Sequence, residues 1–192
     1  MANRREHLVD AAISVLGEGG IHALTHRAVD AAAELPAGST SNHFRTRDAL
    51  LDAVVVRFAA RERATWEEIA VRRCPRTPQE LAQALTVLAH AATGPERTLT
   101  LARYAILVEA GIHPALRARL LSTGAGVNAY FLHWLRMAGS TDPERDAPLI
   151  MNHWTGLILH QLAIPDPEFD PGAQLTALVT RVVRPCSAEV PA

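Results

Sequence analysis

Apolar residues recur every three or four positions along almost the whole chain, and no stretch alternates apolar and polar positions for long. That spacing lays one apolar stripe along each of a series of helices, whereas a half-buried strand needs a period of two. It predicts an all-α chain of about nine helices, at roughly Arg4 to Gly17, Thr25 to Ala33, Ala37 to Phe44, Arg47 to Arg72, Pro78 to Ala92, Pro95 to Ala110, Pro114 to Ala138, Pro143 to Ile164 and Pro171 to Val183. Thr77-Pro78-Gln79-Glu80 joins an N-cap threonine, a proline at the first helical position and a capping-box glutamate, and Thr93 with Glu96 repeats the arrangement. Asp142-Pro143 and Asp170-Pro171 each set a capping acid before a proline, and His113-Pro114 opens another helix. The run "GEGG" supplies the glycines that a left-handed exit from the first helix requires. Gly124 and Gly126 weaken the middle of the helix from Pro114 and leave open its division into two shorter pieces. Pro165-Asp166-Pro167 separates the last two helices, and "PCSAEVPA" reads as a frayed tail.

The segment from 25 to 44 differs from the rest. Thr25 caps a short helix whose inward positions Ala28, Val29 and Ala32 are small, a turn at Ala33-Glu34-Leu35-Pro36 follows, and then comes "AGSTSNHF". Two short helices joined by such a turn and braced by a helix on either side form the helix-turn-helix pattern. A helix seated in the DNA major groove needs short hydrogen-bonding side chains at the groove and an apolar anchor at its far end. Gly38, Ser39, Thr40, Ser41 and Asn42 meet the first need and Phe44 the second. Taken alone, "GSTSN" serves equally well as a polar loop. In the helix-turn-helix reading His43, Arg45 and Arg47 follow where flanking phosphates lie, and His26 and Arg27 reach the opposite backbone or a guanine edge. The helix from Arg47 to Arg72 spans ~39 Å at 1.5 Å per residue, long enough to join a small amino-terminal bundle to a separate helical body. Its Ala49, Leu50, Ala53, Val54 and Phe58 are expected against the first domain, and Trp66, Ile69 and Ala70 in the second.

Composition narrows the setting. With 192 residues and 48% hydrophobic content the chain can bury a sizeable core. No apolar run reaches the ~18 residues that would suggest a membrane span, and the amino terminus lacks a secretory apolar segment, so no membrane partner and a cytoplasmic location are expected. Cys74 and Cys186 lie far apart and read as ordinary thiols. A net charge of −1 gives no bulk pull toward nucleic acid, so a polyanion-binding surface has to be local. All 19 basic residues are arginine, able to grip a phosphate with two bonds.

"LTHRAVDAAAELPAGSTSNHFRTRDALLDAVV" resembles the DNA-binding segment of the tetracycline-repressor (TetR) family of transcriptional regulators, and nine helices in this length are similar to that family's layout. The close match covers roughly residues 8 to 56 and includes Gly38, His43, Phe44, Arg47 and Leu50 of the family's core motif. The resemblance implies that Arg27, Ala37, Gly38, Ser39 and Ser41 approach bases and that His26, Asn42, His43 and Arg47 approach phosphates. It implies a helix-turn-helix domain over residues 1–46 and a larger ligand-binding and dimerisation domain over 47–192, joined by the helix 47–72. Partners would be a double-stranded DNA operator, a small-molecule effector and a second copy of the chain. Two positions depart from the pattern: Glu34 stands where the family usually has glycine in a left-handed turn, and Ser41 replaces a usual tyrosine.

The carboxy-terminal two thirds are apolar with sparse polar insertions. Core packing accounts for most of the aromatic residues, but a family-like fold brings Tyr104, Tyr130, Phe131, Trp134 and Trp154 around one cavity, with Arg103, Glu109, Asn128, Asn152 and His153 as candidate polar anchors. Such a pocket suits a small, largely hydrophobic effector. Gly156, Leu159 and Leu162, with Leu175 and Leu178 of the last helix, fit either a dimer interface or packing within one chain; two recognition helices on a pseudo-palindrome favour the dimer. His153 and His160 lack a neighbouring ligand at metal-binding spacing, so no metal or cofactor is expected. Nucleophile-elbow, phosphate-loop and dinucleotide motifs are missing, and the chain reads as no enzyme. The competing reading is a helical small-molecule-binding protein or enzyme, with Glu109 and His153 in acid-base roles and an amino-terminal bundle that no longer serves DNA.

Overall fold

A computed structural model describes residues 3–72 and 74–183, with side chains for all of these except 66 and 69–72. The side chains of Trp66, Ile69 and Ala70, and Cys186 with the carboxy-terminal tail, therefore lie outside the described part. Among the described residues the chain forms nine helices and no strand: α1 (Arg4–Ala23), α2 (His26–Ala32), α3 (Ser39–His43), α4 (Arg47–Arg72), α5 (Pro78–Thr93), α6 (Arg97–Ile112), α7 (Pro114–Met137), α8 (Pro143–Ala163) and α9 (Gly172–Val182).

The helices fall into two compact units, one formed by Met1–Ala64 and Pro95–Gly126, the other by Thr65–Gly94 and Val127–Ala192. A division at residue 46 does not coincide with these, because α6 and the first half of α7 join the amino-terminal helices. In the first unit Leu8, Ala12 and Leu16 of α1 pack with Val29, Phe44, Leu50 and Val54, and with Ala102 and Ile106 of α6. In the second, Leu81 and Leu85 of α5 pack with Phe131, Trp134, Ile150, Leu175 and Val179.

Several local expectations need correcting. The first helix does not end at Gly17; it continues to Gly20, whose φ of 71° breaks the helical path before a last turn to Ala23. Gly17 has a different use, since a Cβ there would sit 2.1 Å from the Thr98 carbonyl oxygen, so α1 and α6 touch backbone to backbone. Thr93 caps nothing: it is the last residue of α5, its hydroxyl donates to the Ala89 carbonyl, and α6 starts after Glu96 without a side-chain cap. α7 runs unbroken through Gly124 and Gly126. Thr77 and Asp142 do cap, accepting from the amides of Glu80 and Arg145. In α2 the buried positions are Val29 and Asp30, while Ala32 is exposed.

Candidate nucleic-acid interface and ligand-binding body

Thr25 caps α2 by accepting from the Ala28 amide, and the chain leaves α2 through Glu34 at φ 55°. The glutamate thus occupies the left-handed conformation in which glycine is favoured, at a cost of ~1–2 kcal/mol. Gly38 follows at φ 91° as the residue before α3. At the other end of α3, Phe44 is buried and the Arg5 guanidinium lies 4.9 Å from the centre of its ring.

Between these anchors α3 presents a short polar ridge. Ser41, Asn42 and His43 are exposed, Ser39 is half-buried, and Ala37, Arg27 and Arg45 are exposed beside them. The Ser39 hydroxyl donates to the Pro36 carbonyl at 2.6 Å and that of Ser41 to the Gly38 carbonyl at 2.9 Å, which leaves their oxygen lone pairs to meet donors from outside. Thr40 is not part of the ridge: it is wholly buried. Arg47 holds protein as well as lying exposed, because its guanidinium donates to the carbonyls of Ile21 at 2.6 Å and Leu24 at 3.3 Å and so closes the end of α1. His26 is half-buried, and its Nε2 has no hydrogen-bond partner among the described residues.

One residue that the sequence did not single out organises this site. Asp30, 4% exposed, accepts from the Gly38 amide at 2.8 Å and from the amide and hydroxyl of Thr40. Burial pushes its carboxyl up, but the Thr40 hydroxyl, the two amides and nearby His26 together hold it below the usual carboxylate value. An acid on the inner face of an alanine-rich helix, ten residues before an inward threonine, is the signal that would have revealed it.

The expected ligand-site residues divide between the two units. Arg103, Tyr104 and Glu109 belong to the first. Arg103 pairs there with Glu62, whose carboxyl burial pushes up, against the opposing pull of Arg103. Glu109 pairs with His113 at 3.1 Å. In the second unit Phe131 and Trp134 are core residues, the Tyr130 hydroxyl donates to Glu67 at 2.8 Å, and the Trp154 indole donates to the Leu85 carbonyl at 3.1 Å. Asn128, Asn152 and His153 are exposed, with His153 3.1 Å from Gln174. Of the residues expected at a dimer interface, Gly156 and Leu159 are exposed and Leu178 is half-buried, whereas Leu162 and Leu175 are buried within the protomer and offer a partner little or no surface. No group of histidines, cysteines and acids with metal-binding geometry occurs among the described residues.

A braced helix-turn-helix carrying an exposed ridge of small polar residues, followed by a separate helical body, defines a DNA-binding regulator with a ligand-binding carboxy-terminal domain. Residues 8–54 match the family of bacterial regulatory proteins called tetR, and residues 76–185 match the tetracyclin repressor-like carboxy-terminal domain. The chain belongs to the TetR family of transcriptional regulators. No curated protein matches it. Among solved structures, the multidrug binding protein EbrR complexed with proflavin is 31% identical, with 94% of this chain and 100% of that chain covered and a TM-score of 0.65. EbrR complexed with ethidium is 29% identical, covering 95% and 99%, with a TM-score of 0.71. The TetR-family member SCO1917 from Streptomyces coelicolor A3 is 28% identical, covering 95% and 99%, with a TM-score of 0.69. No helix among the described residues is long and apolar enough to cross a membrane.

Proposed function

We propose that the protein is a cytoplasmic repressor that binds a palindromic operator as a homodimer and leaves it when a small, largely hydrophobic effector binds the helical body. The observation that carries the reading is the ridge of Ser39, Ser41 and Asn42 on a helix whose other face is tied down by Asp30, Thr40 and Phe44. In this reading residues 1–46, with Arg47 at the start of α4, read DNA: Arg27, Ala37, Gly38, Ser39 and Ser41 meet bases, while His26, Asn42, His43, Arg45 and Arg47 meet phosphates. Residues 47–192 bind effector and partner, the latter through the exposed side of α8 around Gly156 and Leu159. The proflavin and ethidium complexes of EbrR support an aromatic, largely apolar effector for this related chain.

Fluorescence anisotropy tests the reading, with DNA from just upstream of the gene and duplexes selected from random sequence compared with a scrambled duplex at two salt concentrations. The expected result is tighter, salt-dependent binding to one defined sequence, weakened by hydrophobic aromatic compounds. A purified dimer that binds no duplex even at low salt refutes it and favours a small-molecule-binding protein or enzyme.

A further inference from the structure

We propose that Asp30 is a positioning residue for sequence reading: its carboxylate fixes the orientation of α3 against α2 and thereby decides which base edges Ser39 and Ser41 reach. The inference rests on the DNA-binding function proposed above. α3 has five residues, too few to hold a helix by its own hydrogen bonds. Its first amides have no partner within the helix, and the residue before it, Gly38, has no side chain to cap them. Asp30 supplies that cap from the preceding helix. One carboxylate oxygen takes the Gly38 amide at 2.8 Å, and the other takes the Thr40 amide at 2.7 Å together with the Thr40 hydroxyl.

Three donors from two closely spaced residues converging on one planar group restrict both the position of α3 and its rotation about its own axis. Hydrogen bonds are directional, whereas an apolar pair of the same volume would tolerate rotation. Rotation is what matters, because Thr40 must point inward for its neighbours at 39, 41 and 42 to point outward. Phe44 anchors the far end of the helix and leaves the near end to Asp30.

The test selects a preferred duplex from random sequence with the parent chain, then measures dissociation constants for that duplex and a scrambled one, well below the melting temperature of each variant. Asp30→Asn sets an amide group against at least one of the three donors. It is expected to weaken binding to the selected duplex by about tenfold or more while affinity for the scrambled duplex stays within about twofold, since phosphate contacts carry no sequence information. Thr40→Val removes one donor and is expected to lower the selected-to-scrambled ratio by about threefold, and Thr40→Ser to restore it. A purely structural role would lower the melting temperature and leave that ratio unchanged in the folded variant, which would overturn the proposal. If Asp30→Asn does not fold, equal ratios for Thr40→Val and Thr40→Ser overturn it instead. A parent chain that selects no sequence defeats the function itself, and is thereby told apart from a loss of preference confined to the variants.

Discussion

Gly17 is the position where a single methyl group should have the largest consequence. A Cβ built there lies 2.1 Å from the Thr98 carbonyl oxygen, 2.6 Å from Thr98 Cγ2 and 2.8 Å from its carbonyl carbon. Ordinary contact begins at 3.4 Å, so α1 and α6 have to part by 1.3 Å at the oxygen (3.4 − 2.1), and the obstructing atoms are mostly backbone that cannot swing aside. Overpacking of this kind typically costs ~1–3 kcal/mol, set against the ~0.5–1 kcal/mol that alanine gains over glycine inside a helix. Because the obstruction is backbone the cost falls at the upper end of that range, and Gly17→Ala is expected to lose about 2–2.5 kcal/mol and to lower the melting temperature by about 4–10 °C. Gly124→Ala is the matched control, since a Cβ there meets nothing within 4 Å inside a continuous helix, and it should raise stability by ~0.5–1 kcal/mol. Differential scanning calorimetry of the two variants decides the matter. Equal or raised stability for Gly17→Ala would refute the close approach of α1 to α6.

The two arginines of the proposed DNA-binding surface should separate. Arg27→Ala is expected to lower the preference for the selected duplex over a scrambled one with no change in melting temperature, whereas Arg47→Ala is expected to weaken binding to every duplex, flatten the salt slope by about one unit and destabilise the protein by ~1 kcal/mol because the Ile21 and Leu24 carbonyls lose their donor; calorimetry beside anisotropy checks both. Gly156→Ala has no neighbour within 4 Å in the protomer and should stabilise it, but if α8 meets a second α8 there, analytical ultracentrifugation should show a weakened dimer. Arg57 donates two bonds of 2.8 Å to Asp10 and holds its carboxyl below the ordinary value of 3.8. A carboxylate depressed in the folded state contributes stability at pH values above 3.8 and loses it as pH falls below, so Asp10→Asn should flatten the acid limb of the stability curve.

Much of the architecture was legible along the chain because helices are local. The 3.6-residue repeat, the threonine and aspartate caps and the proline breaks act within a few residues of one another, and α4 begins and ends where the pattern places it. The helix-turn-helix was legible for the same reason, whereas the αL turn at Glu34 was expected only from the resemblance to a family that usually has glycine there, since a glutamate gives no local sign of that conformation. What the sequence could not show were pairings between distant residues. Thr40 looked like one more groove-facing side chain until the fold buried it under Asp30, and Arg47, read along the chain only as a phosphate ligand, also holds the Ile21 and Leu24 carbonyls that folding brings to it. Gly17 read as punctuation, although its lack of a side chain is needed by the backbone of α6 some eighty residues further on. The sequence determined which segments become helices; the tertiary structure decided which of their polar groups remain available, because a hydrogen-bonding side chain serves either a partner inside the protein or one outside it, and only packing selects between them.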